Sequence, residues 1–287
     1  MRATRAAVGL VIAGALLGGC GTSETGAPTG GTESSGPGPS SSEEAPGNAV
    51  PVYYGAKTGA GWRLYREFHK THDDDAATSA VRDALSGDAA VDPDYKSLWP
   101  SGWAPRGPVK HAGGVITVDL TEPNDEGEEA TKETTDLAVQ QLIYTAQGAL
   151  QSKDPVRILV AGKPVEHLLG FVSTAKPISR VDPTKVRSLV QIDNPMDGGT
   201  VGRSVKVSGE ARVWEGNLLW RVVRGGAASG DVVQKGHTTT RSGMEFAPYS
   251  FTVTLEPGEY TLVAEESDES DGQGRAPYSD TKKITVR

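Results

Sequence analysis

The residues best suited to chemistry lie in `HKTHDDD`, where His69 and His72 stand beside Asp73, Asp74 and Asp75. Imidazole and carboxylate groups that converge can hold a zinc ion. If the strand that carries His69 continues, however, residues three apart point to opposite faces and the pair does not converge. The segment reads instead as a solvated strand end followed by a helix cap, so no metal or other cofactor is expected. The other histidines, His111, His167 and His237, stand alone. No Gly-x-Ser-x-Gly elbow is present, and `GAKTGAG` lacks the Lys-Ser or Lys-Thr ending of a phosphate loop. The acidic run from Glu265 to Gly272 lacks the ligand spacing of a calcium loop. A glycosidase needs two carboxylates facing across a cleft, and nothing singles out such a pair. No catalytic residue is assigned, and the chain is not expected to be an enzyme.

A second kind of chemistry is recognition. The segment `DPDYKSLWPSGWAPRG`, residues 92–107, sets Tyr95, Trp99 and Trp103 among prolines and glycines. Loop aromatics can stack on sugar rings or anchor a protein partner, because they offer large area at low entropic cost. The alternative is that Leu98 and Trp99 fold back over a sheet, while Trp103, beyond Pro100, is expected to be exposed. Tyr95, Trp99 and Trp103 are therefore the candidate contacts for a ligand or partner.

The third reactive group is Cys20, the only cysteine in 287 residues. It follows Arg2, Arg5 and an apolar stretch from Ala6 to Gly19, the layout of an export signal and too short for a permanent span. Leu17-Gly18-Gly19-Cys20 resembles the bacterial lipobox, which implies that residues 1–19 are a signal peptide and that Cys20 becomes a lipidated N-terminus. Such a protein is extracytoplasmic and held to the outer face of the membrane by its acyl chains. The next stretch contains 21 Gly, Ser, Thr or Pro among the 29 residues from 21 to 49. It has no apolar surface to offset the entropy of ordering, so residues 20–50 are read as the lipidated cysteine and a disordered tether. Loss of Arg2 and Arg5 takes the formal net charge from −8 to −10. That balance argues against nucleic acid, which needs clustered Lys and Arg.

The remainder is comfortable for two domains. The first alternates strands and helices: a hairpin from `VYYG` and `WRLYREFH`, a helix capped by Asp74 or Asp75 and closed by Gly87, and a strand over Val115 to Leu120. A helix within residues 128–150 then carries Val139, Leu142, Ile143, Ala146 and Leu150 on one stripe, and `VRILVAG` is a last strand. This ββαβαβ-like order suggests helices packed on one mixed sheet. Residues 174–188, with Pro177 and Pro183, read as a linker. From Leu189 onward seven short period-two segments suggest an all-β immunoglobulin-like sandwich, with Trp220 buried between sheets, Tyr260 as a tyrosine corner and Leu262 in place of a disulfide cysteine. The fold class is thus α+β.

The phrases `DALSG`, `DPDYKSLWPSG`, `ITVDLT`, `AVQQLIYTA` and `VRILVAGKPV` resemble the GerMN domain of sporulation and spore-germination proteins, placed at residues 51–173. `IDNPMDGGTVGRSVKVSGEARVWEGNLLWRVV`, `FTVTLEPGEYTLVAEESD` and `KKITVR` resemble Gmad2, the immunoglobulin-like domain of bacterial spore germination, at residues 189–287. The order of lipobox, tether, GerMN and Gmad2 resembles envelope lipoproteins of high-GC Gram-positive bacteria. The resemblance implies a non-catalytic binding or assembly module, with an envelope protein or a second copy as partner. Recognition of peptidoglycan or another glycan by residues 92–107 is the alternative. The `VVQKG` strand, if at an edge, would favour strand addition to another protein.

Overall fold

The computed structural model describes residues 49–71, 75–121, 123, 131–268 and 274–287. In the first half, β1 (Ala49–Thr58) and β2 (Gly61–Lys70) form an antiparallel hairpin that closes more tightly than the seven-residue glycine-rich stretch suggested. Thr58 pairs with Gly61, whose φ of 89° places it where a side chain is disfavoured. Helix α1 (Ala76–Leu85) starts at Asp75, whose carboxylate accepts from Thr78 N, and ends at an extended Ser86 rather than at Gly87. Then come β3 (Ala104–Pro105), β4 (Lys110–Ala112), β5 (Val115–Thr121), α2 (Lys132–Ala149) and β6 (Val156–Val160). Thr131 and Thr134 cap α2 reciprocally.

Two short strands, β3 and β4, thus enter the expected order, and the single mixed sheet is replaced by two. Strand β5 pairs in parallel with β6 on one edge and antiparallel with β3 and β4 on the other, while the hairpin forms its own sheet. The reason lies in α2. Every residue from Leu137 to Gln147 is buried, so one apolar stripe does not describe it and it needs cover on more than one side. Val139, Leu142, Ile143 and Ala146 pack with Ile116, Val118, Leu120 and Ile158 of the sheet, while Leu137 and Tyr144 pack with Tyr53 and Leu64 of the hairpin. Of the polar groups inside, Gln141 accepts from Leu98 N at 2.9 Å and donates to Ala84 O at 2.6 Å, whereas Thr135 Oγ1 and Gln147 Oε1 are buried without a partner.

Neither edge of the hairpin is left open. Gly55 and Lys96 exchange backbone hydrogen bonds, Tyr53 N donates to Thr145 Oγ1, and Ser188 N donates to Leu64 O on the β2 side. Residues 174–188 contain the short helix α3 (Pro183–Val186), and their Ile178 bridges to Val156.

In the second half all seven expected segments are strands: β7 (Val190–Asn194), β9 (Ser204–Ala211), β10 (Asn217–Arg224), β11 (Val232–Thr239), β12 (Ala247–Thr254), β13 (Gly258–Glu266) and β14 (Ser279–Val286). A further short strand, β8 (Gly199–Val201), pairs in parallel with β14. The sheets run β11-β10-β13-β14-β8 and β12-β9-β7, with one core between them built from Val190, Val207, Leu218, Val222, Leu262 and their neighbours. Tyr260 Oη donates to Glu256 O at 3.0 Å, the tyrosine corner, and Leu262 is fully buried. Trp220 packs on the facing sheet as expected, stacked on Phe251 of β12 at 4.7 Å, but it is only half-buried. Gly236 faces it because a Cβ there would stand 2.5 Å from the indole.

Candidate functional site

Residues 92–107 do not form an exposed recognition loop. Trp99 and Trp103 are buried in the core beneath α1, α2 and β5, in edge-to-face contact at 5.4 Å, and Trp99 Nε1 donates to Ala138 O at 2.8 Å. The expectation that Trp103 is exposed is corrected: the chain turns at Gly102, φ 89°, and returns the indole to the sheet that β3 joins. Tyr95 is buried as well, stacked on Tyr65 at 4.9 Å. As contacts for a ligand, the three aromatics are withdrawn from solvent. Cys20, His72, Asp73 and Asp74 lie outside the described residues.

Tyr95 instead marks a buried polar seam between the two halves. Lys282 of β14 donates to Asp92 Oδ2 at 2.5 Å and to Tyr95 Oη at 2.7 Å, and lies 3.6 Å from Asp280 Oδ1. Tyr95 Oη donates to Asp280 Oδ1 at 2.7 Å, and Asp280 Oδ2 accepts from Ile192 N. The side chains of Lys282, Asp92 and Asp280 are each no more than 3% exposed. Burial pushes both carboxyls above the usual range against the opposing pull of Lys282. The same burial pulls Lys282 down, but the two carboxylates outweigh it and raise it overall.

A second set of bonds extends the seam. Arg66 forks onto Asp193 and reaches Glu210, Arg187 also reaches Glu210, and Gln191 Nε2 donates to Arg66 O. Arg63 Nε donates to Tyr278 Oη, and Tyr65 Oη to Ser279 O. These are bonds between parts of the chain at least 125 residues apart, apart from the Arg187–Glu210 pair. Asp92, Asp280 and Lys282 were not singled out from sequence, although a signal was there. In `SDTKKITV`, Asp280 and Lys282 alternate in phase with Ile284 and Val286 and so share their inward face.

His69 sits behind this seam. Its Nδ1 is 2.8 Å from Asp83 and its Nε2 3.0 Å from Glu67, whose carboxylate also accepts from Val91 N and Asp92 N. Burial, the largest influence, lowers the imidazole, but the hydrogen bonds and charges of Asp83 and Glu67 together raise it to about 9. The folded protein therefore holds this proton more tightly than the unfolded chain, whose ordinary value is 6.5. The stabilisation is complete below that value and is lost as pH rises through about 9. Denaturant midpoints measured across this range should fall with pH in the wild type and fall less in His69→Gln; parallel profiles would refute the assignment.

Three features among the described residues face solvent. A groove of about 410 Å³ lies between the hairpin tip, the first half of α2 and residues 172–186, with Trp62, Leu137, Ile178 and Val186 as apolar walls and Arg63, Glu133, Asp136 and Lys185 as charged ones. At one end of the sandwich, Trp214 is 64% and Met244 71% exposed. Their loops are joined: Arg212 Nε donates to Met244 O, and Gly243 approaches the turn so closely that a Cβ would lie 3.0 Å from Glu215 N. That turn holds a non-glycine residue, Glu215, at φ 51° beside Gly216 at φ 73°. A left-handed non-glycine residue costs backbone free energy, which the packing of Gly243 sustains. Strand β11 is an edge strand, as the `VVQKG` reading required, with Val232 and Val233 exposed.

Residues 51–166 match the family model described as sporulation and spore germination, and residues 189–273 match that of the immunoglobulin-like domain of bacterial spore germination. No curated protein matches the chain. Among solved structures, the tandem GerMN domains of the sporulation protein GerM from Bacillus subtilis are similar at 11% identity, with a TM-score of 0.38, over 72% of this chain and 61% of that one. The chain thus spans about three fifths of the length of that structure. The two matches support a chain of two parts, the first similar to the sporulation and spore germination family and the second, with its sandwich and tyrosine corner, similar to the immunoglobulin-like domain of bacterial spore germination.

Proposed function

We propose that this chain is a non-catalytic docking module of the cell envelope, lipid-anchored through Cys20, that binds a protein partner through the Trp214 end of its sandwich. The observation that carries the docking reading is the exposure of Trp214 and Met244 on two mutually braced loops. The backbone of both loops is already braced, so binding has only side chains to order there, and exposed tryptophan and methionine are residue types enriched at interfaces. The families matched support a role related to spore germination or sporulation. Glycan recognition by residues 92–107 has no support, because its aromatics are buried.

In-cell photo-crosslinking of the full-length protein, with the probe at position 214, tests this. Capture of a stoichiometric protein from the membrane fraction is expected, with no capture from a probe at buried position 99. Trp214→Ala should abolish binding of the identified partner while changing unfolding free energy by less than about 0.5 kcal/mol. Cys20→Ala should release the protein from membranes. Capture of glycan alone would overturn the protein-docking reading, and a Cys20→Ala protein still on membranes would overturn the anchor.

A further inference from the structure

The seam holds a group of atoms that the docking reading does not use. A primary amine, Lys282 Nζ, touches a carboxyl, Asp92, at 2.5 Å; a second carboxyl, Asp280, stands 3.6 Å from the same nitrogen. All three are shut off from solvent, with side-chain exposures of 3% or less. A further donor is in place: Asp94 N donates to Asp92 Oδ1 at 2.9 Å, the oxygen that would become a carbonyl. Tyr95 Oη bridges the amine and Asp280. An ion pair alone requires neither the third group nor the exclusion of water, and it is costly to bury.

We propose that Lys282 and Asp92 condense into an intramolecular amide that covalently joins the two domains. The reaction starts from the neutral pair, reached when the ammonium proton passes to the Asp92 carboxylate across their hydrogen bond. The Nζ lone pair attacks Asp92 Cγ, forming the C–N bond and placing charge on Oδ1, where Asp94 N is aimed. Asp280 takes the proton released from Nζ and delivers it to Oδ2, which departs as water. The amide forms, one water leaves, and Asp280 ends as the carboxylate it was, held by Tyr95 Oη, Ile192 N and Thr281 N. No oxidant, cofactor or energy source enters the balance.

Three physical factors favour the condensation. Fixed contact supplies an effective concentration on the order of 10⁵ M or more for well-oriented groups. Exclusion of water removes the species that would drive the reverse reaction. Burial also favours the uncharged form of Asp92, the acid half of the neutral pair, against the opposing pull of Lys282, which the two carboxylates hold in its charged form. The product replaces a buried ammonium and carboxylate by one neutral amide. Its position matters mechanically: the bond ties the loop after α1 to the middle of β14, so a pull on either domain is carried by a covalent link as well as by packing.

Tryptic peptide mapping of the folded full-length protein decides the matter. The expected product is a branched species in which residues 83–96 are joined to residues 276–283, lighter than the sum of the two by one water and uncleaved after Lys282. Recovery of linear 83–96 and 276–282 in full yield from the wild type would overturn the proposal, without recourse to any variant. Asp280→Asn, analysed on protein confirmed as folded by circular dichroism, should return the unlinked peptides; persistence of the branched peptide there would remove Asp280 from its proton-carrying role. Lys282→Arg should give no branched species, and a species of that mass in this variant would overturn the assignment of the linked atom.

Discussion

Replacing Lys282 by alanine should lower the unfolding free energy by about 3–5 kcal/mol, the cost of stranding buried charges without their partner. The variant leaves Asp92 and Asp280 facing each other with no cation between them, and it removes the ammonium from its place 4.2 Å from the Tyr95 ring centre. The deficit has a defined pH dependence. Burial already holds both carboxyls above the usual range, and loss of Lys282 raises them further. A folded state whose acids have raised pKa values binds more protons than the unfolded chain, so its stability rises as pH falls. The gap between variant and wild type should therefore narrow on acidification from neutrality. Urea denaturation followed by tryptophan fluorescence measures both effects, and a variant within about 1 kcal/mol of wild type at neutral pH would show that the seam does not hold the domains together. An ion pair and the amide proposed above both predict this loss, and the peptide map separates them.

The second large effect is expected at Trp99. Truncation to alanine empties the space between α1, α2 and β5 and removes the bond from Nε1 to Ala138 O, a combination expected to cost about 3–5 kcal/mol. The ring also packs edge-to-face on Trp103, so the loss propagates to a second indole. Equilibrium unfolding of Trp99→Ala beside Trp214→Ala provides the contrast, because one tryptophan is 5% exposed and the other 64%. If the two variants proved equally stable, the placement of residues 92–107 under the helices would be wrong. If Trp99→Ala unfolded as expected and Trp214→Ala did not, core and contact aromatics would be told apart by measurement.

What could be read from the chain alone followed from local rules. The seven strands of the sandwich were legible because a strand with one buried face must alternate, and `VKVSGEARV` and `YSFTVTL` do so. Tyr260 was legible because its hydrogen bond closes over four residues, a contact set by the chain between `LEPG` and the tyrosine. Asp75 was legible as a cap because the bond it accepts comes from Thr78, three residues away. Each of these depends on groups that sequence already places near one another.

Tertiary structure decided everything that depends on which surface meets which. Trp99, Trp103 and Trp214 are the same residue type in irregular stretches near glycine or proline, and nothing local distinguishes a loop that folds back from one that projects. Their fates were fixed by the gap left between α1, α2 and β5 for the first two and by the Gly243 brace for the third. Helix α2 carries a recognisable apolar stripe, yet its burial all round arises only because the hairpin closes over it. Asp92 and Lys282 are 190 positions apart, and only the packing of one domain on the other brings a carboxylate and an amine into contact. The sequence by itself determined the elements, because backbone hydrogen bonding and side-chain alternation are local. The structure decided the seam and the exposed tip, because desolvation and contact are properties of surfaces that exist only after the chain has folded.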